Sequence, residues 1–131
     1  MLDEPVRGAV PDRSLFSLPG IEWLRAMLRN FAAPVPVAVL FDATVTEVSS
    51  GSAATRQVLS PWFDTGEGSM FLTPLAESGM WCAAVTGAPP ATEARTANLS
   101  VRYLRPCKLD SESVVLRSRI LHARRSPRRR A

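Results

Sequence analysis

One carboxylate stands alone in the longest apolar run of the chain. The run is Ser69-Met-Phe-Leu-Thr-Pro-Leu-Ala-Glu-Ser-Gly-Met-Trp-Cys-Ala-Ala-Val-Thr86, and Glu77 is its single charge. Ser69 and Thr73 precede Glu77 at intervals of four residues, so a continuous helix would align all three on one polar line. Desolvation beside Met80 and Trp81 would make the carboxylate a stronger base, suited to act as general base or nucleophile. Ser69 and Thr73 are then placed to orient a water. The same residues admit a plainer arrangement. Thr73-Pro74 is a good helix start, with Thr as N-cap and Pro at the first helical position. Glu77 would then be an acid near the helix start, exposed and favourable with the helix dipole.

The remaining reactive side chains are few. His122 is the only histidine, and it extends the set Val114, Leu116, Ser118 and Ile120 on one strand face if that strand runs so far. Cys82 and Cys107 lack CxxC spacing and read as free thiols, with a disulfide or metal pair the lesser alternative. No metal-ligand cluster, nucleotide-binding glycine loop or Ser-His-Asp set is expected. The net charge of +4 is a property of the tail. Arg124, Arg125, Arg128, Arg129 and Arg130 fall in the last eight residues, and without them 11 basic residues face 12 acidic ones. No aromatic residues interleave with these arginines, so a solvated tail is expected rather than a nucleic-acid or lipid surface.

The elements that hold Glu77 in place follow from periodicity. Ile21, Leu24, Leu28 and Phe31 recur at helical spacing with Glu22, Arg25 and Arg29 opposite, which predicts an amphipathic helix over 19–31, ended by Ala32-Ala-Pro-Val-Pro36. Residues 37–48 are rich in Val, Phe and Thr and predict a strand with Val39, Phe41, Ala43 and Val45 on one face. Ser49-Ser-Gly-Ser52 is a turn cluster, and residues 53–59 read as a second, weaker strand of a hairpin. The apolar run itself predicts a buried helix over 69–86, closed by Gly87-Ala-Pro-Pro90. Residues 95–105 alternate, with Ala97, Leu99, Val101 and Tyr103 on one side, and residues 113–123 form a further strand. The apolar run falls short of the roughly 20 residues of a membrane helix, and residues 1–14 lack a secretion-signal pattern, so a cytoplasmic protein is expected.

Four patterns resemble the hotdog-fold acyl-CoA thioesterases of the phenylacetate-degradation type. They are Pro19-Gly-Ile-Glu-Trp-Leu-Arg-Ala-Met-Leu before a proline break, Gly68-Ser-Met-Phe-Leu-Thr-Pro-Leu-Ala-Glu-Ser-Gly-Met, the strand ending Leu99-Ser-Val-Arg-Tyr-Leu-Arg-Pro106, and Leu121-His-Ala-Arg-Arg125. The resemblance covers about residues 19–125. It implies an α+β hotdog domain, a curled antiparallel sheet wrapped around the helix 69–86, with an extra N-terminal helix at 19–31. It implies a thioester hydrolase acting on a small or medium acyl-CoA, with no cofactor beyond the coenzyme A of the substrate. Glu77 falls on the family's catalytic carboxylate, and Gly68, Ser69 and Met70 fall on its His-Gly-Gly, so this element is replaced here. The amide of Ser69 would polarise the thioester carbonyl, and Thr73 would assist. Gly68, Met70 and Trp62 are the implied acyl contacts, Trp62 lying near the place of the family's loop Asn. Arg102, Arg105, Arg124 and Arg125 are the implied phosphate contacts of coenzyme A, since arginine matches phosphate geometry.

The implied organisation is a loose lead-in over 1–18, one hotdog domain over 19–125 and a basic tail over 126–131. A hotdog sheet usually carries one more strand after the Arg-Arg turn. The expectation is a truncated chain or a sheet completed by a second unit, in one chain or as a homodimer with the site at the junction. A catalytically silent unit that binds acyl groups or serves a structural role is the alternative function.

Overall fold

The computed structural model describes residues 5–10, 13–30, 33–67, 71–108 and 112–124. Among the described residues, four helices, α1 (Arg13–Phe16), α2 (Gly20–Leu28), α3 (Pro36–Leu40) and α4 (Thr73–Thr86), pack with three strands, β1 (Ala43–Ser49), β2 (Ser52–Val58) and β3 (Ser113–Arg119). A 3-10 turn at Pro61–Phe63 lies between β2 and α4. The sheet is antiparallel in the order β1-β2-β3, so β2 is its centre.

The inner face of β2 carries no charge. Ala53, Thr55 and Gln57 share that face by strand alternation, while Arg56 points outward. Their ladder partners repeat the pattern. Val48, Val45 and Ala43 of β1 stand opposite Ala53, Thr55 and Gln57, and Ser118, Leu116 and Val114 of β3 stand on the other side. The β1–β2 register slips between Val45 and Glu47, a bulge that increases local twist and curls the sheet toward the helix. Gly51 closes the hairpin at φ +81°, a left-handed conformation that costs glycine little.

The core joins α2, α4 and β2. Leu24 is fully buried and clusters with Ala53, Cys82 and Val85, with Trp23, Met27, Val45, Val48, Trp81 and Ala94 packed around them. The rings of Trp23 and Trp81 meet edge to face at a centroid distance of 5.3 Å, and the Trp81 indole N–H donates to the Ala94 carbonyl at 3.1 Å. Buried Tyr and Trp side chains of this kind combine apolar area with one satisfied polar tip.

Several boundaries differ from the sequence reading. The amphipathic helix expected over 19–31 spans Gly20–Leu28, and Asn30 takes a left-handed φ of 60° just past its end. The strand expected from Val37 begins at Ala43, because Pro36 sits at a helix N-terminus and starts the short α3 instead. Val39 and Phe41 therefore belong to α3 and the turn after it, not to a strand face. The helix expected over 69–86 begins at Thr73, with Leu72 as N-cap and Pro74 in its first turn. Phe71 and Leu72 are not helical, so α4 carries Thr73 and Glu77 of the expected polar line, and Ser69 lies outside the described residues.

Residues 95–105 do not form a strand. Alternation makes a segment able to join a sheet, but pairing also requires a free edge within reach. Val101, Tyr103 and Leu104 are exposed in consequence. β3 ends at Arg119, short of the expected residue 123. Among the described residues, no helix is long and apolar enough to cross a membrane.

Candidate active site

A cleft of about 770 Å³ opens where the N-terminal half of α4 rises from the sheet. Its walls are apolar, built from α2, the segment around α3 and the start of α4, including Met27, Val35, Phe41, Phe71 and Leu75. Its floor includes Thr55 and Gln57 of β2. Glu77 lines it and is the one charged side chain among the described residues that do so. The cleft exists because α4 packs closely on the sheet only toward its C-terminus. There Gly79 lies against Leu116 and Ser118, and an added Cβ would come within 2.0 Å of Leu116 Cδ2.

The sequence places Glu77 in a buried setting, and the structure corrects this. Its side chain is exposed in the single chain, since α4 carries both Glu77 and Met80 on a face that nothing covers. That is the exposure the Thr73-Pro74 start implies. Thr73 lines the same cleft, and its hydroxyl hydrogen-bonds the Tyr103 hydroxyl, which ties the 95–105 segment to the start of α4. The first amides of a helix lack intrahelical acceptors, and at this end Pro74 has no N–H to offer.

The other expected site residues are scattered. Gly68, Ser69, Met70 and Arg125 lie outside the described residues. Trp62 is 83% exposed on the 3-10 turn and is not part of the cleft lining, because Pro61 turns the chain outward there. Arg102 and Arg105 are exposed on the segment that makes no strand. Arg124 is exposed, and its Nε donates to His122 Nε2 at 3.3 Å. His122 lies beyond the end of β3 and is exposed, so it does not extend the inner face.

Cys82 is a free thiol in the core, where burial pushes its pKa up from 9.0 to about 11. A thiol protonated throughout the neutral range is a poor nucleophile. Cys107 is a second free thiol, half-buried. Among the described residues, no group of three or more His, Cys, Asp or Glu is placed to hold a metal ion. A smaller cavity of about 290 Å³ beside Trp23 and Trp81 contains Glu93, whose carboxylate is bound by Arg95 at 2.8 Å.

Thr55 and Gln57 escaped the sequence reading. They were legible only as the polar members of a strand face shared with Ala53, a signal that needs the strand's inward side to be known.

A curled antiparallel sheet packed against one long apolar helix, with a carboxylate near the start of that helix, defines an α+β domain of the hotdog class. A solved structure shares this fold: a phenylacetic acid degradation-related protein from Ralstonia eutropha JMP134, provisionally a thioesterase by its name. It aligns with a TM-score of 0.67 over 78% of this chain and 80% of its own, at 23% identity. No protein-family model and no curated protein matches the chain.

Proposed function

We propose that the protein hydrolyses the thioester of a small or medium acyl-CoA in the Glu77 cleft. The observation that carries this reading is the single carboxylate on the wall of a large apolar cleft, in a chain with the hotdog fold. The acyl group enters between Phe41, Phe71 and Leu75, and unpaired amides at the start of α4 polarise the thioester carbonyl. Glu77 takes a proton from a water as its oxygen attacks the carbonyl carbon. The C–S bond breaks, the thiolate of coenzyme A leaves and takes up the proton, and a free carboxylic acid remains. Arg102, Arg105 and Arg124 are available at the surface for the coenzyme A phosphates.

A second copy of the chain completes the site in this reading. Val101, Tyr103 and Leu104 are exposed apolar residues on a segment that Tyr103 ties to Thr73 at the cleft, a surface for a second copy to cover. A stable monomer, measured by light scattering at working concentration, would contradict it.

The decisive assay follows thiol release from short, medium and aromatic acyl-CoAs. Glu77→Gln is expected to lower kcat by about 10²–10⁴-fold, the usual contribution of a positioned base. Turnover untouched by the substitution would remove Glu77 from the mechanism. Two observations favour a second reading, acyl binding without turnover: Glu77 is exposed in the single chain, and Gly68-Ser-Met70 stands where the resembled enzymes have His-Gly-Gly. Saturable acyl-CoA binding with no released thiol on any substrate would decide for it.

A further inference from the structure

We infer that the cavity of about 290 Å³ between the N-terminal helices and the loop after α4 is a second binding site, built for a small organic ammonium ion. It stands apart from the proposed hydrolysis, and its test needs no turnover.

The cavity is assembled from parts far apart in the chain. Leu15, Phe16, Leu18 and Trp23 form one side, and Trp81, Val85 and the 89–94 loop close it from the other. Three hydrogen bonds pin this junction. The Gly20 amide donates to the Ala88 carbonyl at 2.9 Å, and the Ala91 amide donates to the Phe16 carbonyl at 2.8 Å. The Trp81 indole N–H donates to the Ala94 carbonyl at 3.1 Å. Ala91 sits at a left-handed φ of 55°. A residue with a Cβ is uncommon there, and such backbone persists where its surroundings over-determine it, often around a ligand.

The lining selects the charge of the occupant. Trp23 and Trp81 meet edge to face at 90°, and rings so arranged leave a right-angled corner bounded by one face of each. The negative faces of indole rings attract a cation. Phe16 adds a third aromatic ring to the lining. Trp81 spends its N–H on Ala94, so that ring offers an anion no donor. Glu93 is the one charged side chain among the described residues that line the cavity. Its Oε2 accepts from Arg95 Nη2 at 2.8 Å, and Oε1 has no partner among the described residues. Both members of that ion pair are exposed, a setting in which such pairs are weak and yield to a competitor. An anion would meet Glu93 as like charge. A neutral molecule gains from apolar contact alone. An ammonium with apolar substituents gains from contact, from the ring faces and from the carboxylate. A volume of about 290 Å³ is at the small end of ligand pockets, which suits a compact cation. Trp23 and Trp81 also line the Glu77 cleft, so one pair of rings is the shared wall of both cavities.

The probe is choline, set against its uncharged isostere in which carbon replaces the nitrogen. Binding is followed by NMR through the indole N–H signals of the three tryptophans. Choline is expected to shift the Trp23 and Trp81 signals and leave that of Trp62, which is 83% exposed on the 3-10 turn and is assigned with Trp62→Phe. Its affinity should exceed that of the isostere by about 5-fold or more, within the range of cation–π contacts. Glu93→Gln should abolish most of that preference. Arg95→Gln should tighten choline binding by about 2–5-fold, because it removes a competing cation. Glu77→Gln should change neither. All three side chains are exposed, so the variants keep the fold. Equal affinity for choline and the isostere, unmoved Trp23 and Trp81 signals, or a preference that survives Glu93→Gln would overturn the inference. Weaker binding in Arg95→Gln would do the same, since Arg95 would then hold the site instead of competing for it. Loss of the preference in Glu77→Gln would place the cation in the cleft and overturn it too. No arm depends on thiol release, so failure of the thioesterase reading leaves this test intact.

Discussion

The two halves of α4 meet the same strand in opposite ways. From Gly79 to Thr86 the helix is clamped. Gly79 allows it close to Leu116 and Ser118, Cys82 and Val85 enter the core, and Thr86 is paired on both sides. From Thr73 to Ser78 it stands over a cleft of about 770 Å³ whose lining includes Thr55 and Gln57, each with a side-chain oxygen unpaired among the described residues. One helix of 14 residues thus has a clamped end and an open end. The difference lies in side-chain size and satisfaction: small residues and closed hydrogen bonds give stability, and their absence leaves room for a ligand.

The largest effect should come from forcing the clamped end apart. Gly20 opens α2 against the end of α4, its amide donating to the Ala88 carbonyl at 2.9 Å. A Cβ there would lie 2.0 Å from the Val85 carbonyl oxygen, a backbone atom that cannot rotate away. Gly20→Ala is expected to cost roughly 3 kcal/mol in denaturant unfolding, at the upper end of overpacking penalties. Glu77→Gln, at the open end, should change stability by less than about 0.5 kcal/mol, as exposed substitutions do. Similar losses from the two substitutions would erase the distinction between the ends.

How much of this was legible depends on what each signal reports. The pattern Ile21, Leu24, Leu28 names a buried stripe; Leu24 is fully buried, Ile21 is half-buried, and Leu28 at the helix end is exposed. The Ser49-Ser-Gly-Ser52 turn and the inner set Val114, Leu116, Ser118 read equally well, because both are local consequences of backbone geometry. Signals that need a partner failed. Residues 95–105 alternate as a strand does, yet no edge receives them. Residues 37–42 are β-rich in composition, yet Pro36 initiates a helix before a ladder can form. Glu77 sits in an apolar run that reads as buried all round, but Met80 and Glu77 are exposed because burial is set by what packs on a face. The orphaned state of Thr55 and Gln57 has no local signature at all.

One substitution made at each end sharpens the comparison further. Thr86→Val removes a hydroxyl that serves the Gly51 amide and the Ala83 carbonyl, and leaves both seeking new partners. It should cost about 1–2 kcal/mol. Thr55→Val deletes a hydroxyl that has no hydrogen-bond partner among the described residues, at nearly the same volume. It should be neutral or stabilise by up to about 1 kcal/mol. The sign reversal between two identical changes, read as Tm shifts, is the outcome that matters; two losses of equal size would mean that Thr55 is already satisfied.

The smallest effect in the neutral range concerns the thiols. Cys82, at the clamped end, has its pKa raised by burial to about 11 against 9.0 for an open thiol. Folding therefore favours the protonated form. The stability tied to that proton is complete below about pH 9, where the unfolded chain also holds it. It declines as pH rises from there through about 11, since only the unfolded chain then gains by ionising. Near pH 8 Cys82 should not affect stability through titration, and it should be silent toward a thiol reagent. Half-buried Cys107 should react. Labelling the native protein at pH 8 should modify one site, mapped by mass spectrometry to Cys107, and add Cys82 only on unfolding. Prompt modification of Cys82 in the native state would show that the clamped end opens as readily as the cleft, and the division of α4 into two ends would fail.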